Sequence, residues 1–589
     1  MTPESGEFKN FKDLMRSRGG EPEKPSQPAP DRGWTLEDGS GTKDVSDEDL
    51  AAMRDPDASS RARIAARPAA FGPMTHGPPP YKDPESEEME LVSSFRIRTV
   101  FPPDVLKEME GLPDEPRPED IRGRLDLRGE TIFTIDGADA KDFDDAISMR
   151  VMGEGFVELG VHIADVGHYV VPGTALDDEA LARGTSVYLP DQVVPMLPEE
   201  LSNGLCSLVP ERDRLAFSVF MTFDAKGERT ATRVAKSVIR SVRRNTYKEV
   251  QELLDAKPGE GPQELRFLEA DLRRFEDWTR QQQKIRDAKG ALRITSTERR
   301  FVFDAKHEVE AVIDAPRYFS QTLIEETALA ANQAVGDLFH DRGLPTIYRV
   351  HPEKDPEEIE KVAEMLLEHG IRVPTKERLS GRDIGRLIRQ ARRRPNAEAL
   401  IPRIMGLVER AVYEVKDHED VAEHWGLARK AYLHFTSPIR RYPDLIVHRW
   451  LHGIEGGDDG AEAELKTDDL LDDLNHVAQH SSTQADVAEM AEHAVGDLKV
   501  CQYMEPHIGE RIDAQVLRIS RGGIEVKLTE YNVTGFLPMR MLGSRPKFTG
   551  SSVTIQAGKR HLSFTEGHSI SVQLKDVDFL RLQILLDLA

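Results

Sequence analysis

The chain has 589 residues, 39% hydrophobic and 31% charged, an ordinary globular balance that excludes fibrous and wholly disordered classes and gives room for about four structural units. Its 104 acidic residues against 79 Lys and Arg give a net charge of −25, which weakens a nucleic-acid partner without excluding one, since binding depends on local patches. No apolar run reaches the roughly eighteen residues of a membrane span, no secretory signal opens the chain, and Cys206 and Cys501 alone make neither a disulfide framework nor a zinc site, so a reduced, cytoplasmic protein with no membrane partner is expected.

Residues 1–91 are rich in Pro, Gly, Ser and charge and poor in aromatics, a composition that cannot bury enough apolar surface to offset its ordering entropy, so a mostly disordered arm is expected there. From Val92 the pattern turns globular. FRIRTVF suggests a strand and FPPDVLKEMEGL a helix opened by proline. GETIFTIDG and GFVELGVHIADVGHYV are β-rich, with a hairpin break at MGEG. Helical periodicity dominates from about Asn245 to Gly370 and returns in DLLDDLNHVAQHSSTQADVAEMAEHAVGDLKVCQYM. The last eighty or so residues change again: GERIDAQVLRIS, GGIEVKLTEYNVTGFLP, SVTIQ, KRHLSF and SISVQLKDVDF are short strands laid out as in a small barrel. From Gly509 onward 11 Lys and Arg face 8 Asp and Glu, a mildly basic tail on an acidic chain.

The segment FTIDGADAKDFDDAISM holds Asp136, Asp142, Asp144 and Asp145 directly after an apolar run. Carboxylates this close raise each other's pKa unless positive charge lies among them. Hard divalent cations take oxygen ligands, commonly one or two carboxylates per ion. A pair of such ions holds a phosphodiester, activates a water and stabilises the leaving oxygen. A solvated acidic loop is the plain alternative, but Ile132, Phe133, Ile135, Phe143 and Ile147 pull the cluster toward a core and favour a metal site.

IDGADAKDFDDA resembles the signature of the ribonuclease II/R family, the RNB-type exoribonucleases, and VHIADVGHYV, YLPDQVVPMLPEELSNGLCSL, IEETALAAN and HFTSPIRRYPDLIVHR resemble its later motifs in the same order. The resemblance implies an α+β fold: an RNB catalytic domain over residues 92–500 around an RNA channel, then an OB-fold of the ribosomal S-one type over 506–589. It implies Mg²⁺-dependent, processive 3′→5′ hydrolysis of RNA to nucleoside 5′-monophosphates, with one or two ions and Mn²⁺ as a substitute. Carried over by position, Asp136 and Asp145 hold the metal most directly, Asp142 supports them, and Asp144 is the carboxylate most needed for chemistry. Tyr188 in SVYLPDQ matches an aromatic that stacks on the 3′-terminal base, which suits a sequence-tolerant enzyme. Arg440 matches the catalytic arginine; Arg441 either contacts RNA or pairs with a carboxylate. One of Glu325 and Glu326 matches a pocket glutamate, and Glu492 lies on a helix resembling one that lines the channel.

Other signals are set aside. HEDVAEH lacks the second His of a zinc HExxH motif, no phosphate-binding GxxxxGK[ST] loop is present, and Asp165 and His168 are expected to make structural hydrogen bonds. The region before Val92 is too short for the two cold-shock OB-folds of many members, and the chain ends in QILLDLA rather than a basic tail. Single-stranded RNA, and structured RNA with a 3′ overhang, are the expected partners of a monomer. A catalytically inactive RNA-binding relative is the second reading; the presence of all four aspartates and Arg440 favours the enzyme.

Overall fold

The computed structural model describes residues 86–292, 298–374, 379–394, 397–416, 424–455, 459–549 and 551–589. Up to residue 85 the expected disordered arm lies outside the described residues. From there a helix, α1 (Glu87–Ser94), opens on Ser86, whose hydroxyl accepts the Met89 N–H. Its Met89 and Val92 are buried, and Glu88 pairs with Lys499 at 2.7 Å. FRIRTVF then forms no strand. Arg96 sits at φ 58°, and Arg98 reaches Glu179 at 2.6 Å, so the alternation of this stretch serves packing and an ion pair without a partner strand. The proline-opened helix follows as α2 (Pro103–Met109).

Nine strands come next: β1 (Leu125–Asp126), β2 (Phe133–Asp136), β3 (Asp145–Gly153), β4 (Phe156–Ala164), β5 (Val187–Tyr188), β6 (Val193–Val194), β7 (Asp213–Phe223), β8 (Arg229–Arg240) and β9 (Arg243–Thr246). Seven form the central sheet, in the order β1-β8-β7-β4-β3-β2-β9, while β5 and β6 make a separate ribbon. The β3–β4 hairpin turns at MGEG as expected, through Gly153, Glu154 and Gly155, all at positive φ, where glycine carries no Cβ penalty. The outer pairs β1–β8 and β2–β9 are parallel and the inner ones antiparallel.

Helix α3 (Ala175–Arg183) lies between β4 and β5 in the chain, and α4 (Tyr247–Asp255) follows β9 directly, opened by a capping box of Thr246 and Glu249. Helices α5 (Glu269–Lys289) and α6 (Phe319–Asp341) cover the sheet; Phe275 of α5 meets Phe133 edge to face at 5.9 Å. The stretch expected to be helical also holds the pair β10 (Arg299–Phe303) and β11 (Val309–Asp314), and β12 (Thr346–Val350), whose partner β13 (Val412–Lys416) lies beyond it. The β-branched and aromatic runs FVF, VEAVI and TIYRV explain both. Helices α7 (Tyr442–Glu455) and α8 (Asp468–Met504) complete the first unit.

The C-terminal strands are β14 (Arg511–Ile519), β15 (Gly523–Leu528), β16 (Val533–Pro538), β17 (Ser544–Thr549), β18 (Ser552–Ala557), β19 (Arg560–Thr565), β20 (Ser569–Asp578) and β21 (Gln583–Leu588). The fold is therefore α+β, a mixed sheet with helices followed by a closed barrel, β14-β15-β16-β21-β20. SVTIQ and KRHLSF, expected in the barrel, instead form a separate three-stranded sheet, β17-β18-β19, and QILLDL closes the barrel. At the closure a Cβ on Gly535 would stand 2.5 Å from Leu586 Cδ1, so a larger residue there would have to displace that side chain. Leu498, Val500, Cys501 and Met504 of α8 join the barrel's core, which makes one packed body of helix and barrel.

Candidate active site

β2 ends on Asp136 and its antiparallel neighbour β3 begins on Asp145, so the loop between them returns on itself and gathers all four aspartates at one end of these two strands. The loop is braced from three sides. The Phe143 N–H donates to Ser207 Oγ at 3.0 Å, and that hydroxyl donates to the Lys141 carbonyl at 2.7 Å. The Leu208 and Ala164 N–H groups donate to the carbonyls of Phe143 and Asp144. Arg244 on β9 donates to the carbonyls of Gly137 and Ala138.

The TSPIRRYPDL segment arrives from the other direction. Asp144, 4% exposed, accepts the Ile439 N–H at 2.9 Å, and Arg440 Nε stands 3.5 Å from its second oxygen. Arg441 turns away: its Nε and Nη2 donate to Asp444 at 2.9 and 2.7 Å, and Asp444 also accepts the Ser437 N–H. The Arg440 carbonyl accepts from Ser186 N–H and Thr185 Oγ1, which ties this loop to the strand carrying Tyr188. Tyr188 donates its hydroxyl to Asp142 at 3.3 Å and its N–H to Glu492 of α8 at 2.7 Å, and it keeps 41% of its surface exposed. Five expected residues thus fall into two contact sets, Glu492–Tyr188–Asp142 and Arg440–Asp144, joined through the bonds of Thr185 and Ser186 to the Arg440 carbonyl.

Asp136 and Asp145 stand beside it, linked by charge. Burial, then the charge of Asp145, pushes the Asp136 carboxyl up to about 7. Burial raises Asp145 to about 6 against the pull of Arg440, and burial holds Asp144 well above the usual carboxylate range. One oxygen each of Asp136 and Asp144 is buried without a hydrogen-bond partner. Among the described residues no three His, Cys, Asp or Glu side chains converge tightly enough to cage an ion by themselves. Such a donor set fits a hard dication that keeps several waters and uses one or two carboxylates with substrate oxygens.

Glu325 and Glu326 separate cleanly. Glu326 is buried and pairs with Arg286 of α5 at 2.5 Å; Glu325 is half exposed, 3.7 Å from both Arg286 and Arg317. Their recorded partners are these arginines rather than the aspartate loop. Two neighbours of the site were absent from the sequence expectations. Arg244 stabilises the charged form of Asp136, and the phenol of Tyr247 is pushed up by burial and then by Asp145 and Asp136. Both come from β9 and the start of α4, where Thr246 pairs with Asp136. A run such as RRNTYKEV carries no local sign of that neighbour. Asp165 plays the structural part expected, held by Arg124 at 2.7 Å and His452 at 2.6 Å.

Comparison with known proteins gives two family matches: the RNB domain over residues 124–456 and the S1 RNA binding domain over residues 505–581. Ribonuclease R of Thermotoga maritima is 36% identical over 485 residues, 79% of this chain and 67% of that protein. Ribonuclease R of Vibrio cholerae is 35% identical over 470 residues, 78% of this chain and 56% of that protein. The chain therefore spans between about half and two thirds of the length of these relatives. Among solved structures, Mycoplasma genitalium RNase R in complex with ribose methylated single-stranded RNA superposes with a TM-score of 0.73 at 24% identity, covering 86% of this chain and 78% of that one, a likeness of fold.

Proposed function

The chain belongs to the RNB family, and from that premise we propose that it is a processive 3′→5′ exoribonuclease that hydrolyses RNA to nucleoside 5′-monophosphates with Mg²⁺, or Mn²⁺ in its place, bound at the aspartate loop. The observation that carries the reading is the linked set Asp142–Tyr188 and Asp144–Arg440, which sets a stacking ring and a guanidinium against the same loop of carboxylates.

Asp136 and Asp145 would hold the metal, with Asp142 and Asp144 completing its surroundings, and the bound dication would supply positive charge to the crowded carboxylates and Lewis acidity toward the phosphate and a water. The protein does the rest. Ile439 N–H on one oxygen and Arg440 beside the other hold Asp144 in place before substrate arrives. Arg440, 40% exposed, reaches past Asp144 to a phosphate and balances charge as the bond breaks. Tyr188 stacks on the terminal base, its backbone anchored by Glu492, and reads no sequence because every base has a π-face. Arg441 serves the loop through Asp444, and Glu326 serves the α5–α6 seam through Arg286. Glu325, the exposed member of its pair, is the one available to RNA.

The protein acts as a cytoplasmic monomer on single-stranded RNA and on duplexes with a 3′ overhang, the channel admitting one strand at a time. Among the described residues no helix is long and apolar enough to cross a membrane. A 5′-labelled single strand incubated with Mg²⁺ tests the reading: progressive shortening, release of 5′-monophosphates and arrest by chelator are expected. Persistence under excess unlabelled competitor reports processivity. Intact RNA after prolonged incubation would overturn the assignment.

A further inference from the structure

We infer that Glu88 of α1 is a positioning residue for the 3′-terminal base of RNA: it fixes the ribbon that carries Tyr188, so a helix lying ahead of the RNB match governs where degradation stops. It does so only on the exoribonuclease reading, with Tyr188 stacking on that base.

The ribbon cannot hold its own shape. β5 and β6 have two residues each, paired as Val187–Val194 and Tyr188–Val193 and joined by the turn 189–192. A hairpin this short is marginal in water, so its place depends on what it lies against. Alternation sets its faces. Tyr188 and Val193 are exposed, whereas Val187, Leu189 and Val194 turn inward and pack with Val92 of α1 and with Ala488 and Val495 of α8. Two helices therefore make the floor beneath Tyr188.

Polar contacts anchor the ribbon at two points. Glu492 of α8 accepts the Tyr188 N–H at 2.7 Å. Two turns further along the same helix, Lys499 reaches Asp191 in the ribbon's turn at 3.3 Å. Glu88 completes this second anchor: one of its oxygens accepts Gln192 Nε2 at 2.7 Å, and the other pairs with Lys499, also at 2.7 Å. The side chains of Glu88, Asp191 and Lys499 are only 3–8% exposed, so water cannot replace a partner that is lost. Without the Glu88 carboxylate, Gln192 and the Lys499 ammonium are each short of a buried partner, and the turn must shift to reach solvent. Tyr188, paired to the Val193 that follows Gln192, shifts with it.

Full-length chains carrying Glu88→Ala, Gln192→Ala, Tyr188→Ala, or Tyr188→Ala together with Glu88→Ala test this against the unaltered chain. Each is assayed in Mg²⁺ on 5′-labelled single strands of six and thirty nucleotides, with Tm recorded. Stacking on the last base is a larger share of the grip on a short strand, so the reading is kcat/KM on the hexamer relative to the thirty-mer. Glu88→Ala and Gln192→Ala should each lower that ratio by about fivefold, the low end of one base stack, and lengthen the limit products. Partial unfolding would instead lower both rates in proportion. Added to Tyr188→Ala, Glu88→Ala should change neither ratio nor products further, because its effect passes through that ring. An unchanged ratio and ladder in Glu88→Ala and Gln192→Ala overturns the inference, as does a further loss of that size in the double variant; in both cases the exoribonuclease reading stands. Where Glu88→Ala does not fold, Gln192→Ala, which breaks the same bond from the ribbon's side, decides alone. A Tyr188→Ala ladder identical to that of the unaltered chain overturns the inference together with the stacking role. An unaltered chain that leaves both strands intact overturns the inference and the exoribonuclease reading together.

Discussion

Asp144 and Asp165 are both buried carboxylates, yet their surroundings give them opposite characters. Asp144 has an N–H donor on one oxygen and a guanidinium no nearer than 3.5 Å to the other, and its pKa is raised by burial. Asp165 has Arg124 and His452 in contact, and they hold its carboxyl far below the usual range despite its burial. Asp144→Asn should lower kcat by at least about 10²-fold, the scale of losing one preorganised charge-stabilising group, with RNA affinity kept. Because a neutral amide relieves a raised carboxyl, Tm of the metal-free variant should not fall, and single-turnover assays with thermal melts check both. Asp165→Asn should do the reverse, leaving Arg124 uncompensated at a cost of about 3 kcal/mol. Since its folded pKa is depressed, that contribution is full above the unfolded value of 3.8 and is lost as the pH falls through the lower folded value. Denaturant melts should therefore show a gap from wild type at neutral pH that narrows in acid.

The elements themselves were unevenly legible. The aspartate loop could be read because its residues are consecutive and its apolar flanks mark β2 and β3. Arg244 and Tyr247 could not, since they reach the site only through the pairing of β9 with β2, a long-range register with no local trace. FRIRTVF misled because alternation marks one buried side, and a strand also needs a partner. Helix α1 yields a test at this scale. A chain beginning at Phe95 loses the burial of Met89 and Val92 and the Glu88 partner of Lys499, so it should be less stable than one beginning at Ser86 by roughly 3 kcal/mol. Equal Tm values for the two truncations would show that α1 is not part of the folded body. The Tyr188 ribbon yields another. With Tyr188→Ala the loss of about 1–3 kcal/mol of stacking should weaken the grip on short RNA and lengthen the limit products, visible on a sequencing gel. An unchanged ladder would leave Tyr188 as a packing residue.

Across the whole molecule, the net charge of −25 and the positive balance of the tail from Gly509 stand together without contradiction, because a summed charge says nothing about where cations gather. The barrel was legible from its short strands and turns, whereas its closing strand was hidden in QILLDL, whose Ile-Leu-Leu run looks as helical as extended. Its junction was also hidden: Val312 of β11 and the end of α8 contribute to the barrel's core, so cutting at Gly509 exposes apolar surface on both sides. That deletion should lower Tm and promote aggregation as well as weaken RNA binding, which calorimetry and light scattering would reveal.

Helix α8 has 37 residues and so runs about 55 Å. It holds Tyr188 through Glu492, enters the barrel's core six residues later at Leu498, about 9 Å along its axis, and stays in that core to Met504. A rod fixed at both points is a ruler. On the exoribonuclease reading, RNA shortened from its 3′ end would leave the barrel at a length set by that rod rather than by sequence. Affinity plotted against oligonucleotide length should then show a break instead of a smooth decline, and the same length should mark where the enzyme changes from holding its substrate to releasing it.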